Sequence, residues 1–342
     1  MQQKTDRGEI ASCERFELHS EPLSIDVHTF AEDVREGLGR VPKSLSPKYF
    51  YDALGSALFE AICHLPEYYL TRAEESIFSA HADQIIRYLP GPLDIVELGS
   101  GSATKTRYLI EAALRTQEAL HYVPIDISKD ALVASARRFL NKYEKIRITA
   151  YHGDYFSVLE SRRLPRSRRV LVLFLGSNIG NSTPEDARRL LRAVADSLRP
   201  GDGLLLGADL KKDAQTLEAA YNDSLGVTAA FNRNLLARIN NELGGTFNLR
   251  NFRFLSQYDE ERGCVDSYLQ AVQSQRVHIE QLDADVDFAA GESIHTESSY
   301  KYGRTDIEAL ARDTGFRLAH MWLDKRAQFS VNLLVRLAPA EE

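Results

Sequence analysis

The chain has 342 residues, of which 44% are hydrophobic and 27% charged, with a formal net charge of -7. That length fits one large domain or two modest ones and buries a sizeable core without staples. The acidic balance gives no basic field for nucleic acid, and apolar runs of about half a dozen residues fall far short of the roughly 20 needed to span a bilayer.

In chain order, MQQKTDRGEIASCERFELHS opens the sequence without an apolar signal segment. Residues 1–14 are expected to be loose, and a cytoplasmic location is expected. Residues 22–88 read as mainly helical, with tyrosines at 49, 51, 68 and 69. From about residue 91, short apolar runs alternate with helical patterns. Asp94–Leu98, Tyr122–Asp126, Ile146–Ala150, Val170–Leu175 and Leu204–Ala208 read as strands. The spacing predicts helices over Thr106–Leu120, Lys129–Lys142 and Pro184–Leu198, the last with Thr183 as N-cap and Pro184 at its first position. Strands separated by helices imply βαβ units and a parallel, doubly wound α/β sheet. Residues 213–300 begin helical, over Ala214–Asn241, and become strand-like at Asn251–Gln257 and Val265–Ile279. Met321–Leu337 alternates as a terminal hairpin.

Cys13, Cys63 and Cys264 are too few and too far apart for a disulfide framework. The nine histidines form no metal-ligand spacing, so no metal is expected. The run Arg162, Arg163, Arg166, Arg168, Arg169 reads as a solvated loop rather than a nucleic-acid patch.

The first strand ends in Glu97-Leu98-Gly99-Ser100-Gly101-Ser102. Gly99 and Gly101 allow a tight turn and close approach of a ligand. Thr104 stands where a dinucleotide fingerprint has its third glycine, which argues against a pyrophosphate and leaves NAD as the minor reading. Asp126, at the end of the second strand, suits ribose hydroxyls. Asp154 and Tyr155, after the third, suit an adenine. Together the three sites describe an S-adenosylmethionine pocket.

The segments Pro42–Asp52, Gly55–Phe59, Leu65–Arg72, Phe174–Asn181 and Gly226–Asn234 closely resemble the histidine N-alpha-methyltransferases that make hercynine for ergothioneine biosynthesis. The similarity runs from about Val34 to about Leu337. It implies a Rossmann-like class I methyltransferase sheet with a second, discontinuous α+β unit that binds the amino acid. The expected division is residues 73–212 and 301–342 for the first and 15–72 and 213–300 for the second. The resemblance assigns Gly99, Lys105, Asp126, Asp154 and Tyr155 to S-adenosylmethionine. It assigns Tyr51, Tyr68, Asn181, Tyr221, Glu297 and Ser299 to the amino acid, with Gly176 and Phe59 lining the same pocket. Tyr51 and Asn181 are expected to hold the reacting amine. Where the family often has Met in a Glu-Met-Trp-Leu stretch, this chain reads Asp266-Ser267-Tyr268-Leu269, and the smaller Ser267 is expected to enlarge the pocket or admit water.

The expected reaction is trimethylation of the α-amine of L-histidine by a monomeric enzyme that binds neither nucleic acid nor membrane. The alternatives are the same chemistry on another amino acid or a histidine derivative, and a non-catalytic metabolite-binding protein.

Overall fold

The computed structural model describes residues 14–20, 27–161 and 164–338. The expected looseness of residues 1–14 therefore falls, apart from Glu14, outside the described residues, as do Cys13, Arg162 and Arg163. The chain runs β1 (Phe16–Ser20), α1 (Val27–Gly39), β2 (Lys43–Ser44), α2 (Ala53–Cys63) and α3 (Leu70–Tyr88). The alternation follows: β3 (Leu93–Leu98), α4 (Arg107–Thr116), β4 (Leu120–Asp126), α5 (Lys129–Lys142), β5 (Ile146–His152), α6 (Tyr155–Glu160), β6 (Arg169–Phe174), α7 (Pro184–Ser197) and β7 (Gly203–Asp209). Next come α8 (Ala214–Tyr221), α9 (Val227–Leu243), β8 (Phe252–Asp259), β9 (Cys264–Ala271), β10 (Gln275–Ile279), β11 (Ala284–Phe288) and β12 (Ser293–Tyr300). The described chain closes with α10 (Arg304–Asp313), β13 (Phe316–Leu323) and β14 (Phe329–Arg336).

The large sheet has the order β1-β5-β4-β3-β6-β7-β14-β13. Strands β1, β5, β4, β3, β6 and β7 pair in parallel, and β14 runs antiparallel to β7 and β13. Leu93–Leu98 and Gly203–Asp209 are buried at every position, because helices cover both faces of a parallel sheet. One face packs on Leu109, Ile110, Leu132 and Phe139, the other on Val158, Leu190, Leu191 and Val194. The Thr183 cap forms as the sequence reading expects, and Ser128 caps α5 in the same way. Thr183 Oγ1 accepts from the Asp186 N–H at 3.1 Å, and Ser128 Oγ from the Ala131 N–H at 3.3 Å. From β3 the chain moves outward to β4 and β5, then crosses back to β6 on the other side of β3. This reversal opens a crevice at the carboxyl ends of the strands.

A four-stranded sheet, β2-β12-β9-β8, and the β10–β11 hairpin lie with α1, α2 and α9 around Phe30, Val34, Phe50, Phe231 and Leu235. Several expectations need correction. β1 pairs with β5 at the edge of the large sheet, so residues 16–20 belong there and not with the second unit. The helix expected over Ala214–Asn241 is two helices, α8 and α9, and the strand expected over Val265–Ile279 is two strands, β9 and β10. Strands β11 and β12 and helix α10 had no sequence assignment, because SIHTESSY over β12 is largely polar and shows no apolar alternation.

Candidate active site

The turn after β3 lies beside the ends of β4 and β5. Gly99 and Gly101 take φ of 68° and 49°, the left-handed region that favours glycine. A Cβ added at Gly101 would meet nothing within 4 Å, so the turn faces open space. Asp126 binds the turn from the end of β4. One carboxylate oxygen accepts from the Gly101 N–H at 2.7 Å, the other from the Ser128 N–H at 2.8 Å. Burial raises its pKa against those bonds. Asp154 caps α6, accepting from the Ser157 N–H at 3.2 Å. The Tyr155 ring packs against Phe156 and Phe174, with centroids 5.2 and 6.0 Å away.

Behind the turn, Glu97 accepts from Thr106 Oγ1 at 2.6 Å and from the Tyr122 hydroxyl, and burial pushes its carboxyl up to about 7. The Ser100 hydroxyl is buried without a partner among the described residues. An open glycine turn, an orphaned hydroxyl and two strand-end carboxylates suit the hydroxyls and amine of a nucleoside.

Lys105 makes a buried ion pair with Glu74 of α3. The same carboxylate accepts from the Gly176 N–H, at 2.9 and 3.1 Å to its two oxygens. Gly207 makes room for it: a Cβ there would lie 2.2 Å from Glu74 Oε1. Glu74 thus joins α3, the cofactor-side Lys105 and the turn after β6. Sequence reading did not find it, because its partners are 31 and 102 residues away.

Tyr51, Phe59, Tyr68, Gly176, Asn181, Tyr221, Glu297 and Ser299 all line one cleft of about 520 Å³. Its aromatic wall is a chain of edge contacts: Tyr51 to Phe59 at 5.6 Å, Phe59 to Tyr68 at 6.4 Å and Tyr68 to Tyr221 at 6.3 Å. Tyr51 is 38% exposed and is one of the residues that line the cleft. Desolvation, with the Glu297 charge adding to it, raises the hydroxyl pKa of Tyr51 and Tyr68, so both stay protonated at neutral pH.

Glu297 enters the cleft from β12 beside a register shift between His295 and Glu297. Thr296, inside that irregularity, donates to Asn232 Oδ1 at 2.7 Å and to the Ser267 carbonyl at 3.0 Å. Burial pushes the Glu297 carboxyl up to about 7, while Lys301 and His295 pull it down. Ser267 is 1% exposed and pairs with Glu297 across β9–β12. Direct pairing in an antiparallel ladder puts the two side chains on one face of the sheet, although Ser267 is not among the residues that line the cleft.

Lys301 and Asp209 are site residues that sequence reading missed. Lys301 Nζ sits 3.0 Å from Asp209, both side chains 0% exposed. It donates to the Tyr221 hydroxyl at 2.7 Å and to Ser299 Oγ at 2.9 Å. The signal was present in the alternation Glu297, Ser299, Lys301, which puts three polar side chains toward one face.

Arg168 and Arg169 donate to the Ala119 and Pro90 carbonyls at 2.6 and 3.3 Å, at the opposite ends of the strands from the cleft. Among the described residues, no group of three or more His, Cys, Asp or Glu is arranged to hold a metal, and no helix is long and apolar enough to cross a membrane.

A family model described as histidine-specific methyltransferase, SAM-dependent, matches residues 30–336. The chain is 42% identical over 304 residues to the histidine N-alpha-methyltransferase of Mycolicibacterium smegmatis, covering 89% of this chain and 94% of that protein. Against the histidine N-alpha-methyltransferase of Mycobacterium tuberculosis it is 41% identical, with the same coverage. It is 30% identical over 286 residues to ergothioneine biosynthesis protein 1 of Neurospora crassa, covering 82% of this chain and 32% of that one.

Proposed function

Because the chain belongs to the histidine-specific, S-adenosylmethionine-dependent methyltransferase family, we propose that it adds three methyl groups to the α-amine of L-histidine, giving hercynine. The observation that carries this reading is the single cleft lined by an acceptor, Glu297, by donors, Ser299 and Tyr221, and by Tyr51 and Asn181. The division into a cofactor unit and an amino-acid unit is part of the same proposal, with residues 16–20 moved to the former, as are a cytoplasmic location and a monomeric state.

S-adenosylmethionine supplies an electrophilic methyl group. Gly99, Gly101, Asp126, Asp154, Tyr155 and Lys105 hold it on this reading. The chain's own task is then positional: to hold a neutral amine lone pair in line with that methyl. Tyr51 oxygen and the Asn181 amide oxygen accept the amine N–H bonds, two before the first transfer and one before the second, while the dimethylamine of the third has none and is held by the walls of the cleft. Since the Tyr51 hydroxyl stays protonated, it passes the amine proton on to water rather than removing it as a phenolate. A nearby cationic sulfonium favours the neutral amine by like-charge repulsion. The aromatic wall of Tyr51, Phe59 and Tyr68 accommodates the growing methylammonium without a fixed counter-charge. Glu297 and the Ser299 hydroxyl pair with the two ring nitrogens, and an apolar side chain leaves them unpaired.

Incubation of the protein with L-histidine and S-adenosylmethionine is expected to yield trimethylated histidine, counted by mass spectrometry. Methylation of another amino acid with none on histidine overturns the substrate, and cofactor binding without transfer to any amine overturns the activity. Asp126→Ala is expected to weaken cofactor binding about 10- to 100-fold, the loss of one or two charge-assisted hydrogen bonds. Titration calorimetry with S-adenosylhomocysteine checks this, and an unaltered affinity refutes the placement.

A further inference from the structure

The turn after β6 carries a side chain to the place where the two subsites meet. Gly176 and Ser177 take φ of 72° and 58°, two left-handed residues in succession. Each is tied down: the Gly176 N–H donates to Glu74, and Ser177 Oγ accepts from the Asp209 N–H at 2.9 Å. A left-handed serine is strained backbone, and these bonds hold it. The chain then enters a short 3-10 turn over Asn178–Asn181. Asn178 reaches across to the glycine turn after β3. A Cβ built at Gly99 would stand 3.4 Å from Asn178 Nδ2 and, its chain neighbours aside, would meet nothing else within 4 Å. A Cβ built at Gly176 would stand 3.7 Å from Asn178 Oδ1 and 3.9 Å from Lys105 Nζ. Asn178 also lines the cleft, together with Tyr51 and Asn181. One amide thus borders both the cofactor turn and the amino-acid cleft.

The amide of Asn178 offers two N–H bonds and an oxygen with two lone pairs. It is half-buried, and its side chain has no hydrogen-bond partner among the described residues. Nδ2 faces the glycine turn, where Lys105 is a second donor and a cofactor carboxylate is the acceptor that both suit. Oδ1 faces Gly176, which lines the cleft. A free amino acid arrives with an ammonium, which has three N–H bonds. Tyr51 and Asn181 take two of them, and the Asn178 oxygen takes the third, on the cofactor side. With neither ligand present the amide is held by nothing. The first ligand to bond it orders the side chain, and the second finds it already ordered.

We propose that Asn178 is shared by the two subsites, its amide N–H donating to the cofactor and its amide oxygen accepting from the ammonium in the cleft, so that each ligand raises the affinity of the other. The inference rests on the reading of the ligands as S-adenosylmethionine and L-histidine. It deepens that reading by naming the side chain through which the subsites communicate. Such coupling is reciprocal, the same factor in both directions. Ordering one side chain once rather than twice accounts for a factor of about 3 to 10.

The test is a binding cycle measured by calorimetry on the full chain at neutral pH. L-Histidine and S-adenosylhomocysteine are each titrated alone and in the presence of saturating amounts of the other. S-adenosylhomocysteine has no methyl to transfer, and its neutral thioether does not repel the ammonium. The proteins compared are wild type, Asn178→Leu and Asn178→Asp. Asn178→Leu keeps the size of the side chain without its polar atoms, and it is expected to lower the coupling factor about 3- to 10-fold. Asn178→Asp keeps an oxygen for the ammonium and loses the N–H. With it, S-adenosylhomocysteine alone is expected to bind about 3- to 10-fold more weakly, while L-histidine alone binds at least as tightly as to wild type. A coupling factor in Asn178→Leu equal to that of wild type overturns the proposal, as does an unaltered S-adenosylhomocysteine affinity in Asn178→Asp. Loss of both ligands by both variants marks a purely structural residue and overturns it too. Wild-type protein that binds S-adenosylhomocysteine but no L-histidine in either state overturns the functional reading, and this inference with it.

Discussion

Replacing Glu297 with glutamine is expected to raise the KM for L-histidine by about 30- to 100-fold at pH 8, equivalent to about 2–3 kcal/mol for a buried, charge-assisted hydrogen bond. Cofactor affinity is expected to remain within about twofold. The reason is geometric: Glu297 has no hydrogen-bond partner among the described residues, and it lines the cleft beside Ser299. A carboxylate kept free inside a protein wall is available to a ligand. In wild type, KM is expected to rise as pH falls below about 7, where the carboxyl takes up its proton and ceases to be a pure acceptor. That step is expected to vanish in the variant. Steady-state kinetics from pH 6 to 9 reads both effects. Equal weakening of histidine and cofactor binding contradicts the assigned role.

The same substitution has an opposite effect on stability. The folded-state pKa of about 7 lies above the ordinary 4.5, so the folded chain holds more protons than the unfolded chain between those values. Stability therefore falls as pH rises through that window. Glu297→Gln removes the desolvated charge, and at pH 8 the variant is expected to be more stable than wild type by about 1–3 kcal/mol. Denaturant melts at pH 4.5 and pH 8 measure the difference. A variant less stable than wild type at pH 8 contradicts the burial of that charge.

Loss of Glu74 is expected to do the most damage to the fold. Glu74→Ala leaves the Lys105 ammonium, 22% exposed, without its counter-ion and the Gly176 N–H without its acceptor. Breaking a buried pair from one side costs about 3–5 kcal/mol, which corresponds to a fall in melting temperature of roughly 4–7 °C for a chain of this size. At temperatures where the variant remains folded, KM is expected to rise for both substrates, because Glu74 joins the Gly176 turn to Lys105. Glu74→Gln is expected to fall between the two, since its amide oxygen still serves Gly176. Thermal melts and two-substrate kinetics check this, and a Glu74→Ala protein that melts with wild type refutes the placement.

Sequence by itself determined the parts that local physics writes. The apolar runs at Leu93–Leu98 and Arg169–Phe174, the cap at Thr183 and the glycine turn at 99–101 depend on neighbours within a few residues. The positions of Asp126, Asp154 and Tyr155 follow from strand ends that the same patterns locate. The amino-acid side was legible through resemblance alone. Tyr51, Tyr68 and Tyr221 lie on separate elements, and β12 carries Glu297 and Ser299 in a polar stretch without apolar alternation. Tertiary structure alone decided three things. It placed β1 on the edge of the large sheet, since a five-residue strand draws its register from β5. It set Ser267 directly opposite Glu297, since pairing across β9–β12 fixes which side chains share a face of that sheet. It also set the buried charges Glu74–Lys105 and Asp209–Lys301 against partners 31 and 92 residues distant. A charged side chain reads as solvated in a local pattern, and it becomes a buried anchor when the fold brings a counter-ion and the surrounding backbone donors to it.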